Sequence, residues 1–139
     1  MKYELVMVDT SVWVPYFRHD GDVPAGDELQ GLVSEERAIV ADPVLLELSA
    51  GARSEKDLQR IQQRLVELPT AHVNAHTWQS ANRNAFALGQ RGIYPPGIDI
   101  LIATLTINHG LELIHLDRHY ERMAEVLPLR QRRAGAGSG

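Results

Sequence analysis

The sequence predicts an α/β fold in which buried parallel strands alternate with helices. Three short, continuous apolar runs have the length and character of strands that are buried on both faces of a sheet: residues 5–8, 38–41 and 113–116. Residues 71–73 are a weaker candidate for a fourth strand. Because stretches with apolar residues at helical spacing separate these runs, we expect a parallel sheet with crossover helices.

Length and composition indicate one domain. The chain has 139 residues and is 44% hydrophobic, which suffices for one buried core and is too little for two ordinary domains. We predict a single domain over residues 1–129. Over residues 130–139 we expect a flexible tail or a vector-derived remnant, because no apolar pattern continues there.

The chain carries no sign of export or of membrane insertion. No apolar run approaches the roughly 20 residues of a membrane span, so we expect a cytoplasmic protein with no membrane partner. The absence of cysteine fits a reducing compartment. The net charge of −4 argues against a protein that simply coats nucleic acid, but it does not argue against a nuclease whose acids bind metal.

Capping residues mark the helices of the first half of the chain. Residues 20–26 have the composition of a loop. Asp42 and Pro43 then begin a helix that Gly51 ends. Ser54 begins the next helix, in which apolar residues recur at helical spacing. Both helices are expected to pack on the sheet.

Two further helices are predicted in the second half. Residues 74–91 form an amphipathic helix with Trp78 on its apolar face, so we expect Trp78, like Trp13, to be a core anchor rather than a platform for base stacking. Residues 98–103 are apolar nearly all round, which predicts a central helix after the turn at residues 95–97.

Four carboxylates lie where an apolar run meets a turn or where a helix begins. Asp9 and Asp117 follow predicted strands, and ligands of open α/β sheets bind beyond the carboxyl ends of the strands. Glu47 lies about one turn inside its helix, and Asp99 lies near the start of the central helix. If both helices lean over that edge, all four acids converge. For Asp99 the alternative is a capping role at its helix.

A cluster of acids requires a cation, since two unit charges about 4 Å apart repel by roughly 4 kcal/mol at an effective dielectric constant near 20. Carboxylates without cysteine, and without the HExxH spacing of zinc sites, favour a hard ion such as Mg²⁺ or Mn²⁺. These residues indicate metal-assisted phosphodiester chemistry. Several arginines near the site segments are either phosphate contacts or ordinary solvated positions: Arg83, Arg91, Arg118 and Arg122.

The order and context of the four acids resemble the PIN-domain nucleases, and especially the VapC toxins of bacterial toxin–antitoxin pairs. Each resembling segment contains one acid, and the segments are residues 8–13, 43–48, 92–103 and 115–120. The resemblance as a whole spans about residues 5 to 127. The resemblance implies a PIN-like three-layer sandwich with a central, mostly parallel sheet of four to five strands flanked by helices.

The resemblance further implies an endoribonuclease toxin that uses Mg²⁺ or Mn²⁺ to cleave RNA, either tRNA or rRNA. The implied catalytic acids and metal ligands are Asp9, Glu47, Asp99 and Asp117. Thr10 and Ser11 are implied to support them, and Arg118 and His119 are candidates for substrate contact. The family often has a further acid where this chain has His119, so the metal count stays open. The implied partners are RNA, a cognate VapB-like antitoxin and a second copy of the chain.

Other functions compete with this one. A phosphoryl-transfer enzyme would use the aspartate after the first strand as nucleophile, but that class needs a second acid where this chain has Ser11. A phospho-acceptor receiver domain needs a late lysine, and the only lysines are Lys2 and Lys56. The remaining alternative is a non-catalytic PIN-fold module that binds RNA or protein, which the four intact acids disfavour.

Overall fold

The structure, a computed structural model, describes residues 4–18 and 21–135. Within them the chain forms one parallel sheet of five strands flanked by seven helices. The strands are β1 (Val6–Val8), β2 (Ala38–Ala41), β3 (Thr70–Ala71), β4 (Glu112–His115) and β5 (Arg130–Arg133). The helices are α1 (Thr10–Arg18), α2 (Val23–Ser34), α3 (Asp42–Ala50), α4 (Glu55–Leu65), α5 (Ala75–Gln90), α6 (Gly97–Asn108) and α7 (Arg118–Met123). The predicted α/β sandwich with a parallel sheet is confirmed.

The strand order is β3-β2-β1-β4-β5, which places β1 at the centre of the sheet. Met7 of β1 lies beside Ile39 of β2 and Leu113 of β4, and all three side chains are buried. Because such strands are covered on both faces, they need apolar residues at every position rather than at every second one. This requirement explains the continuous apolar runs of the sequence.

Side-chain caps begin two helices where the sequence predicts them. Ser54 Oγ accepts a hydrogen bond from the Asp57 N–H at 3.0 Å at the start of α4. A reciprocal capping box between Asn74 and Thr77 starts α5. The start of α3 differs, because Asp42 is its first helical residue and its carboxylate accepts a hydrogen bond from the backbone after β3 instead.

The start of α2 also differs from the prediction. This helix begins at Val23, inside the predicted loop over residues 20–26. The Asp22 carboxylate accepts a hydrogen bond from the Ala25 N–H at 3.0 Å and so caps the helix. The predicted loop therefore contains the first turn of a helix, while Asp20 lies outside the described residues.

The central helix α6 is buried along most of its length, as predicted. Every residue from 99 to 106 is buried. Its polar side chains have hydrogen-bond partners, since Thr106 Oγ1 donates to the Ile102 carbonyl at 2.8 Å and Thr104 Oγ1 accepts from Asn84 at 2.9 Å. In the part of the chain that is described, no helix has both the length and the apolar character needed to cross a bilayer.

The two tryptophans have different environments. Trp13 is fully buried, and its ring lies 5.2 Å from that of Tyr16 and 5.8 Å from that of Phe17, which confirms it as a core anchor. Trp78 is 54% exposed, so the same prediction for Trp78 is wrong. The buried residues of α5 are Thr77, Ala81 and Leu88. The buried face of α5 includes Thr77, whose hydroxyl is hydrogen-bonded in the capping box. Trp78 is the next residue along the helix and therefore lies on the exposed side.

Residues 130–133 form strand β5, so the prediction of a tail from residue 130 is wrong for this segment. The strand pairs in parallel with all of β4. Leu129 and Ala134 on either side of it are buried. Because β5 is an edge strand with charged side chains, it lacks the apolar pattern by which the other strands are found. Residues 136–139 lie outside the described residues.

We expect Arg132→Gln to lower the free energy of unfolding by about 1 kcal/mol, at the upper end for exposed ion pairs. The half-buried Arg132 guanidinium donates to Glu28 of α2 and to Glu112 of β4, so it ties β5 to two elements. Arg130→Gln on the same strand is the control, because Arg130 is 59% exposed and its contacts, 4.0 Å to Glu4 and a 2.9 Å hydrogen bond to the Gly110 carbonyl, are exposed to solvent. Urea unfolding measures both variants. Equal losses would contradict a specific role for Arg132.

Candidate active site

The carboxyl ends of the five parallel strands lie at one edge of the sheet, and the four predicted acids lie at this edge. Asp9 directly follows β1, and Asp117 comes two residues after β4. Glu47 is in α3, which continues directly from β2, and Asp99 is in the first turn of α6. The charges of the other three acids all act on Asp99. The predicted convergence of the four acids is therefore present in the fold.

Two of the acids form a close group with a histidine. Oxygen atoms of Asp99 and Asp117 and a ring nitrogen of His119 lie within 4.8 Å of one another. His119 Nδ1 is 3.2 Å from Asp99 Oδ2 and 3.0 Å from Asp117 Oδ1. Among the described residues this is the one group of three potential ligand atoms with such spacing. Asp9 and Glu47 lie beside this group rather than within it.

Asp9 is held in place by three hydrogen bonds. Asp9 Oδ2 accepts from the Ser11 N–H at 3.0 Å and from Ser11 Oγ at 2.5 Å. Asp9 Oδ1 accepts from the Tyr120 hydroxyl at 2.6 Å. Ser11 Oγ in turn accepts from the Leu116 N–H at 2.9 Å, so one hydroxyl joins the ends of β1 and β4. With only 4% of Asp9 exposed, this carboxylate has a single defined orientation.

Glu47 has a corresponding support from Thr10. Thr10 Oγ1 donates to Glu47 Oε1 at 2.5 Å, and this contact connects the start of α1 to the middle of α3. Thr10 and Ser11, which follow Asp9 directly, thus contact two different acids. The predicted supporting contacts of both residues are present.

The environment of Asp99 disfavours its charged form. Burial, together with three neighbouring negative charges, raises the pKa of Asp99 to about 6. The three neighbours are Asp9, Asp117 and Glu47, and His119 has the opposite effect. Pro96 occupies the cap position of α6 and makes no side-chain capping bond. In the described residues the Asp99 carboxylate contacts His119 rather than a backbone N–H, so the alternative of a capping role is not observed.

We expect the metal-free chain to gain stability from Asp99 as the pH falls from 7 to 5. The pKa of Asp99 is about 6 in the folded chain against an ordinary value of 3.8. Between these values the folded state binds more protons than the unfolded state, so the free energy of unfolding falls as the pH rises. Of this shift of about two pKa units, about one lies between pH 6 and pH 5 and corresponds to about 1.4 kcal/mol, which screening by solvent at the mouth of the site reduces to about 1 kcal/mol or less.

Thermal unfolding in the presence of a chelator measures this effect at both pH values. Asp99→Asn is the comparison, because it lacks the titrating group and keeps the shape of the side chain. The difference between the two chains isolates Asp99 from the other titrating residues. The same pH response in both would contradict the expected contribution.

The sequence pattern assigns no role to two buried residues that contact the acids. Tyr120 is fully buried and reaches Asp9 from α7. His115 is also fully buried, and its Nδ1 accepts a hydrogen bond from the Asp117 N–H at 3.1 Å while its Nε2 lies 2.7 Å from Gln131. A histidine inside an apolar strand is the one signal in the sequence that indicates such a role.

The predicted substrate-contacting residues lie in a groove beside the acids. This groove has a volume of about 720 Å³ and is lined by residues of α7, of β5, of the start of α1 and of the segment that follows β4. Its lining residues are Ser11, Leu116, Asp117, Arg118, His119, Arg122 and Arg133. Arg83 and Arg91, which the sequence also places near the site, are exposed residues of α5 and its carboxyl end and do not line the groove.

The donor set fits a hard divalent cation. Asp99 and Asp117 offer carboxylate oxygens that lie close together, and Asp9 and Glu47 add negative charge from two sides. The raised pKa of Asp99 reflects this accumulated negative charge, which a cation would offset. The described residues contain no thiolate ligand, so the set favours an oxygen-preferring ion over a soft one.

The sequence is similar to a known domain and to curated proteins. The profile of the PIN domain matches residues 6–126. The VapC ribonuclease Mb1587 of Mycobacterium bovis is 32% identical over 129 residues, and the match covers 90% of this chain and 96% of that protein.

Solved structures show the same fold at lower sequence identity. A chain of the DNA-bound VapBC of Salmonella typhimurium has a TM-score of 0.77 at 16% identity, covering 94% of this chain and 98% of that chain. The sarcin-ricin loop cleaving toxin VapC20 of Mycobacterium tuberculosis has a TM-score of 0.64 at 17% identity, covering 90% of this chain and 98% of that chain.

Proposed function

The chain belongs to the PIN-domain family, and on this premise we propose that it is a metal-dependent endoribonuclease that acts as the toxin of a VapBC-type pair. The observation that carries the proposal is the convergence of four acids at one edge of the sheet, two of them in a close group with His119. Hydrolysis of a phosphodiester requires positive charge near the phosphoryl oxygens. A cluster of acids binds a divalent cation, and the cation supplies this positive charge.

We assign the cation, Mg²⁺ or Mn²⁺, to the four acids Asp9, Glu47, Asp99 and Asp117, of which Asp99 and Asp117 belong to the close group. When bound, it lowers the pKa of a water molecule and offsets negative charge on the phosphodiester. The side chains around the acids fix the geometry of the site. Ser11 and Thr10 hold Asp9 and Glu47 in fixed orientations. Fixed carboxylates need no reorganisation during the reaction, which is the basis of electrostatic preorganisation.

We assign Arg118 and His119 to substrate contact. Both line the groove beside the acids, and His119 is half exposed, so it is accessible to a phosphate or to a leaving group. The likeness to a VapC ribonuclease supports RNA as the substrate. The likeness to a toxin that cleaves the sarcin-ricin loop supports structured RNA such as rRNA or tRNA.

The proposed partners are an antitoxin and a second copy of the chain. Likeness to a VapBC chain supports a VapB-like antitoxin that inhibits the cleavage, in the cytoplasm where its RNA targets are. Trp78 and Phe86 lie about two turns apart on α5 and are 54% and 69% exposed, and exposed apolar side chains of this size support a homodimer. Light scattering from the purified chain tests the dimer, which a monomer mass would refute.

Cleavage of a mixed pool of tRNA and rRNA tests the nuclease function. We expect the purified chain to cut RNA with Mg²⁺ or Mn²⁺ and not with a chelator. Expression of the chain alone should arrest growth, and co-expression with the antitoxin should relieve the arrest. Folded, antitoxin-free protein that cuts nothing in the presence of metal would contradict the proposal and favour a non-catalytic binding module.

A further inference from the structure

Three arginines line the groove beside the acids, two on α7 and one on β5. Arg118 and Arg122 are one turn apart on α7, so their side chains leave the same face of that helix. Arg133 is the last residue of β5, in register with His115 of β4. The Ala134 N–H donates to the His115 carbonyl at 2.8 Å, which fixes the end of β5 beside the end of β4. Arg133 therefore lies at the carboxyl edge of the sheet with the acids.

The three guanidinium groups form no ion pair with the described residues. Each of these residues is exposed. Over residues 4–18 and 21–135, none of the three lies within salt-bridge distance of a carboxylate, whereas Arg60 and Arg132 do. In a chain with a net charge of −4, a run of unpaired arginines on one side of an acidic site is not explained by folding stability. The three positive charges repel one another, and an anion bound in the groove would offset this repulsion.

Arginine is suited to one class of anion in particular. Its planar guanidinium presents a fork of N–H donors that matches the oxygens of a phosphate, and it remains charged at every relevant pH. Proteins that bind single-stranded nucleic acid hold its phosphate backbone along a positively charged groove. The groove meets the acidic group at Asp117 and His119, which line the groove and belong to the group.

We propose that the groove between α7 and β5 binds the phosphate backbone of the RNA strand that enters the acidic site, through Arg118, Arg122 and Arg133. This inference rests on the proposed nuclease function and adds the path of the substrate. The strand runs from the acids over α7 toward the end of β5, and not over α5, where Trp78 and Phe86 are exposed. Three phosphates beyond the scissile bond are contacted on this side.

The dependence of RNA binding on salt tests the proposal without requiring catalysis. The full chain carrying Asp99→Asn is kept in a chelator, and the Kd for a labelled single-stranded RNA is measured over a range of KCl concentrations. Each phosphate contact to a single strand contributes about 0.7 to the slope of log Kd against log salt concentration. We expect Arg118→Gln, Arg122→Gln and Arg133→Gln each to lower the slope by about 0.7, and the triple variant to lower it by about 2.

Arg53→Gln is the matched control. Arg53 is exposed on the connection between α3 and α4, is in no salt bridge with the described residues, and does not line the groove. We expect its slope to equal that of the parent chain. All four substitutions are at exposed positions, and unchanged melting temperatures would show that each variant is folded.

The outcomes separate this proposal from the nuclease function. If the wild-type chain cleaves RNA but the triple variant keeps the parent slope, the groove is not the RNA path and the nuclease function stands. If the triple variant keeps the parent slope but loses antitoxin binding, the groove belongs to a protein partner and the proposal is wrong. A wild-type chain that neither cleaves RNA nor binds it with salt dependence would overturn both.

Discussion

Asp99→Asn is expected to abolish metal-dependent RNA cleavage, with a loss of about three orders of magnitude or more in kcat/KM. Asp99 is 7% exposed and belongs to the close group with Asp117 and His119. A neutral amide keeps the shape of the Asp99 side chain but removes one of the negative charges that hold the cation. Charge stabilisation by a metal contributes several kcal/mol to the transition state, and each 1.36 kcal/mol corresponds to a factor of ten in rate.

The same substitution is expected to stabilise the metal-free chain. The pKa of Asp99 is raised to about 6 by burial and by the charges around it, so its ionised form is unfavourable at pH 7. Removing that charge relieves the repulsion. Addition of Mg²⁺ should raise the melting temperature of the wild-type chain, because a ligand that binds the folded state stabilises it, and this response should be lost in the variant.

Asp27→Asn is the control for both measurements. Asp27 is an exposed residue of α2 that does not line the groove beside the acids. Its replacement should leave the cleavage and the Mg²⁺ response unchanged. Wild-type cleavage by Asp99→Asn, with an intact Mg²⁺ response, would refute the assignment of Asp99 to the metal.

Tyr120→Phe is expected to lower the affinity for the metal by about 10- to 100-fold, as is typical when a residue that orients a metal ligand is removed. The buried Tyr120 hydroxyl donates to Asp9 Oδ1 at 2.6 Å. Burial, and then the charge of Asp9, raises the pKa of Tyr120 far above its ordinary value, so it remains a donor at every pH of interest. Phenylalanine keeps the ring packing against His115 and leaves Asp9 Oδ1 without this donor.

A titration of cleavage rate against Mg²⁺ concentration measures the effect. A merely structural role would lower the melting temperature without moving the midpoint of this titration. Tyr94→Phe is the control, because Tyr94 is 81% exposed and its hydroxyl makes only a 3.3 Å hydrogen bond to the Gly89 carbonyl. A wild-type midpoint for Tyr120→Phe would contradict a positioning role.

Asp99 and Tyr120 contribute in different ways to one arrangement of acids. Asp99 supplies charge, while Tyr120 and Ser11 hold Asp9 between α7 and the end of β1. The supports come from elements far apart in the sequence, since Tyr120 and Asp9 are separated by 111 positions. The geometry of the acids therefore depends on correct docking of α7 against the sheet.

The acids themselves are predictable because each lies next to a strong local signal. Asp9 and Asp117 follow apolar runs that must be strands, and the ends of parallel strands meet at one edge. The errors occur where local signals are weak or misleading. Trp78 has the right spacing for a core residue, but the buried stripe of α5 is one residue away from it. Arg133 belongs to an edge strand without an apolar pattern.

The sequence by itself determines the α/β class, the central strands, most helix starts and which four acids lie at the carboxyl edge of the sheet. Each of these follows from hydrophobic periodicity or from capping chemistry, which act over a few residues. Only the tertiary structure decides which side chains contact the acids, that β5 extends the sheet, and that Arg118, Arg122 and Arg133 share one groove. Such contacts join residues up to 111 positions apart. They depend on how whole helices dock, and no local pattern encodes that.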